Sequence, residues 1–276
     1  MQIELKNIHI AYLRSGVVLD QINLKIDKGD FIGITGRSGS GKTTLLETIG
    51  GFHNPQEGFV SYEGIDIYSD NFDQLSYRRK LQIIFQFPEN QFFENSVYDE
   101  TAYSLKMLKV PADEIECKTH NILKKLSLDA EKSRIISPFS LSGGQKRLLA
   151  IACALVIEPE VLLLDEPFAG LDGEGKANLI QILREEKKKG TTILLVSHDP
   201  NLLCEIAEKI VVLSEGKIVS SGTPEEIYSP DNSNLYGIGM PDTKKTAELI
   251  SLDLTDSLTY DSFITKLIKK LSTKVS

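Results

Sequence analysis

The stretch that decides the fold is GRSGSGKT, Gly36 to Thr43. It fits the pattern G-x-x-x-x-G-K-[ST], and its setting is the one the pattern requires. The apolar run FIGITG, Phe31 to Gly36, leads in as a buried strand, and TTLLETIGGF, Thr43 to Phe52, leads out as a helix. Strand, glycine turn and helix in this order make a phosphate cradle. The glycines let successive backbone N–H groups turn inward, and the positive N-terminus of the helix faces the anion. Lys42 then reaches the outer phosphates, and Thr43 offers an oxygen to Mg2+.

Outward from the cradle, VLLLDEP, Val161 to Pro167, is an apolar strand ending in two adjacent carboxylates. With a phosphate cradle upstream, Asp165 is expected to hold Mg2+ through water, leaving Glu166 to orient or deprotonate an attacking water. LSGGQ, Leu141 to Gln145, sets Ser142 and the Gly143 and Gly144 amides ahead of a helical run and makes a second anion site. One chain holding one nucleotide needs only one cradle. The second is therefore expected to close over nucleotide bound to another subunit, in a head-to-tail pair with two-fold symmetry or pseudosymmetry.

The 276 residues are 41% hydrophobic and 25% charged, which suits one large α/β domain with a modest appendage. A formal net charge of −8 disfavours a non-specific grip on nucleic acid and favours a partner with a basic face. Cys117, Cys153 and Cys204 form no CxxC pair, so neither a disulfide framework nor a zinc site is indicated. MQIELKNIHIAY, at the N-terminus, alternates like a strand and lacks a signal peptide's apolar core. The longest apolar run, LLAIACALVI, Leu148 to Ile157, falls short of the ~20 residues that span a bilayer.

From Leu75 to Leu128 the pattern is mostly helical, with KLQIIFQ, Lys80 to Gln86, as an embedded strand. This predicts a helical subdomain, about residues 87–160, inserted into an α/β core. Alternation resumes with a helix from about Ser142, the strand VLLLD, a charged helix Lys176 to Lys189 and the strand TTILLVS, Thr191 to Ser197, which imply a largely parallel sheet. KIVVLSEGKIVSSG, Lys209 to Gly222, is a hairpin around Glu215 and Gly216, and SPDNSN, Ser229 to Asn234, is a linker. Beyond it, Phe263, Ile264, Leu267, Ile268 and Leu271 are spaced as one apolar helix face.

Taken in order, GRSGSGKTT, Gln86, LSGGQ, VLLLDEP, GLD (Gly170 to Asp172) and SHD (Ser197 to Asp199) resemble the nucleotide-binding subunit of an ABC transporter, from Met1 to about Ser229. The resemblance implies a P-loop ABC ATPase: a RecA-like core, an N-terminal antiparallel β subdomain, an inserted α-helical subdomain and, over 230–276, a small C-terminal helical extension. It implies ATP and Mg2+ as ligands. Gly36, Arg37, Ser38, Gly39, Ser40, Gly41, Lys42, Thr43 and Thr44 correspond to the phosphate cradle, and Tyr12 to the aromatic that stacks on adenine. Thr43, Gln86 and, through water, Asp165 correspond to the metal site, and Glu166, His198 and Gln86 to the catalytic groups. Ser142, Gly143, Gly144 and Gln145 correspond to the signature that acts on the partner's ATP, and Asp172 to the acid linking the two sites. There are departures: AGLD stands where many relatives have serine and alanine before Leu-Asp, and Leu148 sits where an arginine is frequent.

FQFPENQFFENSVYDE, Phe85 to Glu100, sets four phenylalanines among a proline and four acids. Exposed aromatics inside an acidic rim read as an interface, with Pro88 fixing a turn and Gln91 starting a short helix. The segment is similar to that of the ATPases of energy-coupling factor (ECF) importers, where it receives arginine-bearing helices of a transmembrane T component. Glu89, Glu94, Asp99 and Glu100 suit such a basic partner. Residues Gly237 to Leu271 resemble the C-terminal extension that helps hold two ECF ATPases together. The resemblance thus implies an ATP-hydrolysing subunit, peripheral on the cytoplasmic side of the cell membrane. Its implied partners are a like or paralogous ATPase, the T component and a separate membrane S component that binds a vitamin or metal ion; nucleic acid is not among them. The ATPase of another ABC transporter class would keep the same catalytic residues. A non-transport ABC ATPase fits less well with the acidic balance, the lack of a long coiled coil and the single nucleotide module.

Overall fold

The computed structural model describes residues 1–13, 16–229, 232, 235–249 and 258–274. Two sheets form its frame. The first has the order β2-β1-β4-β5, with β1 Ile3–Tyr12, β2 Gly16–Ile26, β4 Glu57–Tyr62 and β5 Ile65–Asp66, all antiparallel. In β1 the buried residues are Ile3 and Leu5, then Ile8 and Ile10. The phase slips by one residue at Asn7, whose φ of 50° marks the bulge where the register with β2 shifts.

The second sheet is six-stranded, β10-β9-β3-β8-β7-β6, built from β3 Phe31–Thr35, β6 Leu81–Ile84, β7 Val161–Asp165, β8 Thr192–Val196, β9 Lys209–Ser214 and β10 Lys217–Gly222. All its pairings are parallel except the β9–β10 hairpin, which turns at Glu215 and Gly216. Strands β3, β7 and β8 are buried along their whole length, which is why they read as continuous apolar runs rather than alternating ones. Successive side chains enter opposite cores. Leu162, Leu164, Ile193 and Leu195 face one, while Leu163, Leu194, Val196, Ile32 and Ile34 join the antiparallel sheet's residues in the other.

Helices α1 Lys42–Ile49 and α2 Gln74–Lys80 precede β6. Between β6 and β7 lie α3 Val97–Met107, α4 Ala112–Lys125 and α5 Gly143–Leu155, with a third small core of Tyr98, Ala102, Leu105, Ile115 and Val156. Then follow α6 Gly173–Lys188, α7 Pro200–Ile206 and α8 Pro224–Ile227. Helix α6 begins ahead of Lys176 because Asp172 caps it, accepting from Gly175 N–H at 2.8 Å. Gln91 does not start a helix: Pro88–Gln91 is a 3-10 turn that Gln91 ends, and α3 starts after Ser96, whose hydroxyl accepts from Asp99 N–H.

Two C-terminal helices, α9 Asp242–Leu249 and α10 Tyr260–Lys274, close the chain. They dock on the main body through polar contacts: Asn201 and Asp242 bond each other, and Lys244 Nζ donates to Tyr228 O at 2.9 Å. The single apolar face expected of α10 is split. Phe263 and Leu267 pack with Ala247, whereas Ile264 and Ile268 are exposed. The Leu271 side chain, most of the linker Ser229 to Asn234 and residues 250–257 lie outside the described residues.

Candidate active site

The loop from β3 to α1 is shaped by backbone contact. Gly36 has φ 145°, and a Cβ there would stand 2.0 Å from Leu213 O; at Gly41, φ 102°, it would stand 2.8 Å from Val18 O. Only glycine lets this loop lie so close to β2 and β9. Lys42 is buried at the mouth of α1, its Nζ donating to the Gly36 and Arg37 carbonyls at 2.9 Å each. Burial pulls its pKa down, with Glu166 and Asp165 opposing. The buried Ser40 hydroxyl has no hydrogen-bond partner. A cation and an orphaned hydroxyl within a curled backbone fit an incoming phosphate.

A cavity of about 240 Å³ opens beside this loop, lined among others by Ser38, Gly39, Gly41, Lys42, Thr43, Thr44, Gln86, Asp165, Glu166 and His198. Thr43 Oγ1 donates to Asp165 Oδ2 at 2.6 Å, joining α1 to the end of β7. Among the described residues no group of three or more His, Cys, Asp or Glu converges as a cage. The Thr43 hydroxyl and Asp165 carboxylate are hard oxygen donors, the kind that suits Mg2+, which takes most of its ligands from phosphate and water.

Glu166 follows β7 in the left-handed region, φ 50°, with its N–H donating to Val196 O at 3.1 Å. Such a conformation is costly for a glutamate and turns the side chain out of the sheet toward the cavity. Its Oε1 is buried without a hydrogen-bond partner, 3.6 Å from His198 Nε2. Burial first, and the Asp165 charge second, push the Glu166 carboxyl up to about 7 against the pull of Lys42. Burial, then the Lys42 charge, lower the His198 imidazole.

The other predicted residues stand outside the cavity lining. Ser142 caps α5 in a reciprocal pair with Gln145, accepting from its N–H at 3.3 Å while Gln145 Oε1 accepts from Ser142 N–H at 3.1 Å. Ser142, Gly143 and Gln145 are exposed, and the Gly144 backbone packs against Gly170 O. Asp172 is exposed at the head of α6. Arg37 is exposed on the loop. Tyr12 hydrogen-bonds His53 Nε2 through its hydroxyl at 3.0 Å.

Arg147 was not anticipated. It is buried, and its guanidinium donates to Glu166 O at 2.8 Å and to Gln86 O at 2.7 Å. Leu148, where an arginine was looked for, is a core residue. The available signal was a charge in the otherwise apolar RLLAIACAL, since a buried cation must be paired.

Around Phe85 to Glu100 the expectation needs correction. Phe87 and Phe93 are 59% and 60% exposed, but Phe92 is 8% exposed and belongs to the main core. Phe93 meets Tyr103 edge-on at 4.7 Å. Of the acids, Asp99 pairs with Lys106 at 2.7 Å, and Glu100 is buried, accepting from Phe93 N–H at 3.0 Å and Glu94 N–H at 2.8 Å. Burial raises the Glu100 pKa. Glu100 therefore shapes the turn that presents Phe93, and the acidic rim reduces to Glu89 and Glu94.

Comparison with known proteins agrees with this geometry. Residues 19–169 match the model of the ABC transporter family. The energy-coupling factor transporter ATP-binding protein EcfA2 of Clostridium tetani is 35% identical over 247 residues, covering 87% of the chain and 86% of the relative. EcfA of Methanococcus maripaludis is 37% identical, covering 82% and 81%. Among solved structures, cbiO1 of Clostridium perfringens, part of the ABC transporter complex cbiONQ, superposes with a TM-score of 0.74 at 30% identity, covering 91% of the chain and 98% of its own. The ATP-binding cassette MJ0796, a dimer in a post-hydrolysis state bound to ADP and Pi, gives 0.72 at 29%, covering 80% and 98%.

Proposed function

The chain belongs to the ABC transporter family, among the ATP-binding proteins of energy-coupling factor transporters, and from that premise we propose how its residues divide the work. It is an ATP-hydrolysing subunit that works with ATP and Mg2+ and as a dimer. The cradle from Gly36 to Thr44 holds the phosphates, with Lys42 on the outer ones, and Tyr12 stacks on adenine. Thr43, Gln86 and Asp165, the last through water, would hold Mg2+, which would supply positive charge to offset that of the phosphate oxygens.

Glu166 takes the proton of the attacking water. A carboxyl held up near 7 is matched to that task at neutral pH, because it is a stronger base than an ordinary glutamate yet still ionises. His198, kept neutral, orients the water from the other side, and Gln86 senses it. Ser142, Gly143, Gly144 and Gln145 close over the partner's ATP, and Asp172 links the two sites. Nucleotide contacts both faces at once and so favours the closed pair selectively.

The observation that carries this reading is the buried, unpartnered Glu166 Oε1 in the cavity beside Lys42 and the Thr43–Asp165 bond. Glu166→Gln is expected to lose at least about 100-fold in ATP turnover while still binding ATP and accumulating as the closed dimer on size-exclusion chromatography. Turnover at the wild-type rate would sink the assignment.

Phe87 and Phe93, with Glu89 and Glu94 beside them, form the dock for basic helices of a transmembrane T component, and an S component supplies the vitamin or metal ion. Among the described residues no helix is long and apolar enough to cross a membrane, which suits a peripheral place on the cytoplasmic face. The body 1–229 carries the chemistry, with a helical subdomain at about 87–160. The extension 230–276, where Leu249 and Ile264 are exposed, meets the second ATPase.

A further inference from the structure

Glu166 and Gln86 share an unusual situation: each lies on backbone that has just left the sheet. Strand β7 ends at Asp165 and β6 at Ile84; the Glu166 N–H still bonds Val196 O, but the carbonyls of Glu166 and Gln86 lie beyond the strand ends. Glu166 is further burdened by its left-handed φ of 50° and by Pro167 behind it, which disfavours much of the conformational space of the preceding residue. The Glu166 carbonyl accepts from Ala169 N–H at 3.3 Å, and what remains is to tie it to the Gln86 carbonyl.

The buried guanidinium of Arg147 does so. Its Nη1 donates to Glu166 O at 2.8 Å and its Nη2 to Gln86 O at 2.7 Å. A planar guanidinium has its N–H groups in fixed directions, so two bonds from one group set the distance and angle between two carbonyls. An ammonium has one nitrogen and no such geometry. Burial lowers the Arg147 pKa, and the negative charges of Glu89, Glu166 and Asp165 oppose part of that cost. Arg147 also sits on α5, the helix that Ser142 caps, so the strap runs from that helix to both peptides of the hydrolytic site.

We propose that Arg147 is a positioning residue for hydrolysis. It holds the Gln86 and Glu166 backbones in one register and makes the orientation of the Glu166 carboxylate depend on the seating of α5. This rests on the reading of Glu166 as the base. Arg147 is not among the residues that line the cavity, and its bonds go to the Glu166 and Gln86 carbonyls, so its removal acts on turnover rather than on the phosphate cradle formed by Gly36 to Thr44.

The test is ATP turnover and ATP binding by Arg147→Met, Arg147→Lys and Glu166→Gln in the complex with its partner subunits. Arg147→Met is expected to lower kcat roughly 10-fold to 100-fold, the scale of a small misplacement of a reacting group, with KM and the affinity for a fluorescent ATP analogue within about threefold of wild type. Arg147→Lys keeps the charge but reaches one carbonyl at a time, and is expected to recover only part of kcat. Wild-type kcat in Arg147→Met, or ATP affinity falling in step with kcat, overturns the proposal. Should Arg147→Met fail to fold, the lysine variant carries the test alone, with wild-type kcat again overturning it. Wild-type turnover by Glu166→Gln would instead remove the reading beneath, so the two failures are distinguishable.

Discussion

Asn201 and Asp242 hold each other by two reciprocal hydrogen bonds, Asn201 Nδ2 to Asp242 Oδ2 at 3.0 Å and Asp242 N–H to Asn201 Oδ1 at 2.9 Å. The pair fastens the start of α9 to α7, and α7 begins just after His198. The C-terminal extension is thus tied to the segment that carries His198, the residue proposed to orient the attacking water.

Asn201→Ala removes both bonds and leaves the Asp242 pairing with Lys245 in place. With each of the two bonds contributing about 1 kcal/mol, amide exchange over 242–249 is expected to quicken by roughly 30-fold in hydrogen-exchange mass spectrometry. Unchanged exchange there would show that the clamp carries no weight.

The raised Glu166 carboxyl has a consequence for stability. Its folded value of about 7 lies above the ordinary 4.5, so the folded chain holds this proton more tightly than the unfolded chain does. Ionisation therefore costs the fold stability as pH rises from about 4.5 through 7. Without nucleotide, Glu166→Gln should melt a few degrees above wild type at pH 8, with the gap closing toward pH 5. A gap independent of pH would contradict the burial of this carboxyl.

Phe92 and Phe93 are neighbours with opposite fates. Phe92→Ala opens the core and is expected to cost about 3–5 kcal/mol in denaturant unfolding. Phe93→Ala combined with Phe87→Ala leaves stability nearly unchanged, and in pull-downs from detergent-solubilised membranes it abolishes recovery of the T component. Recovery of the T component at the wild-type level by a stably folded double variant would move the dock elsewhere.

The strands that carry chemistry were legible because burial on both faces leaves a continuous apolar run: VLLLD coincides with β7 residue for residue. The cradle was legible because glycine spacing is dictated by backbone clearance at Gly36 and Gly41. What escaped depends on partners distant in sequence. Glu100 reads as a surface acid until the Phe93 and Glu94 amides turn toward it, and Arg147 reads as a helix charge until two carbonyls meet it. Phe92 and Phe93 have the same composition-based claim to exposure, and only the turn after Gln91 separates them.

Strand β6 lies at the edge of the six-stranded sheet, bonded on one flank to β7 alone. The segment that follows it leaves from that edge, and Phe92, Val97 and Leu149 return to the core shared with Phe31 of β3 and with Ile193 and Leu195 of β8. Change at the exposed Phe87 and Phe93 leaves that interior undisturbed, provided Glu100 keeps the shape of its turn and Arg147 keeps its two carbonyls. One turn thus carries two surfaces with different tolerances: an outer one free to change, and an inner one fixed by the core beneath it.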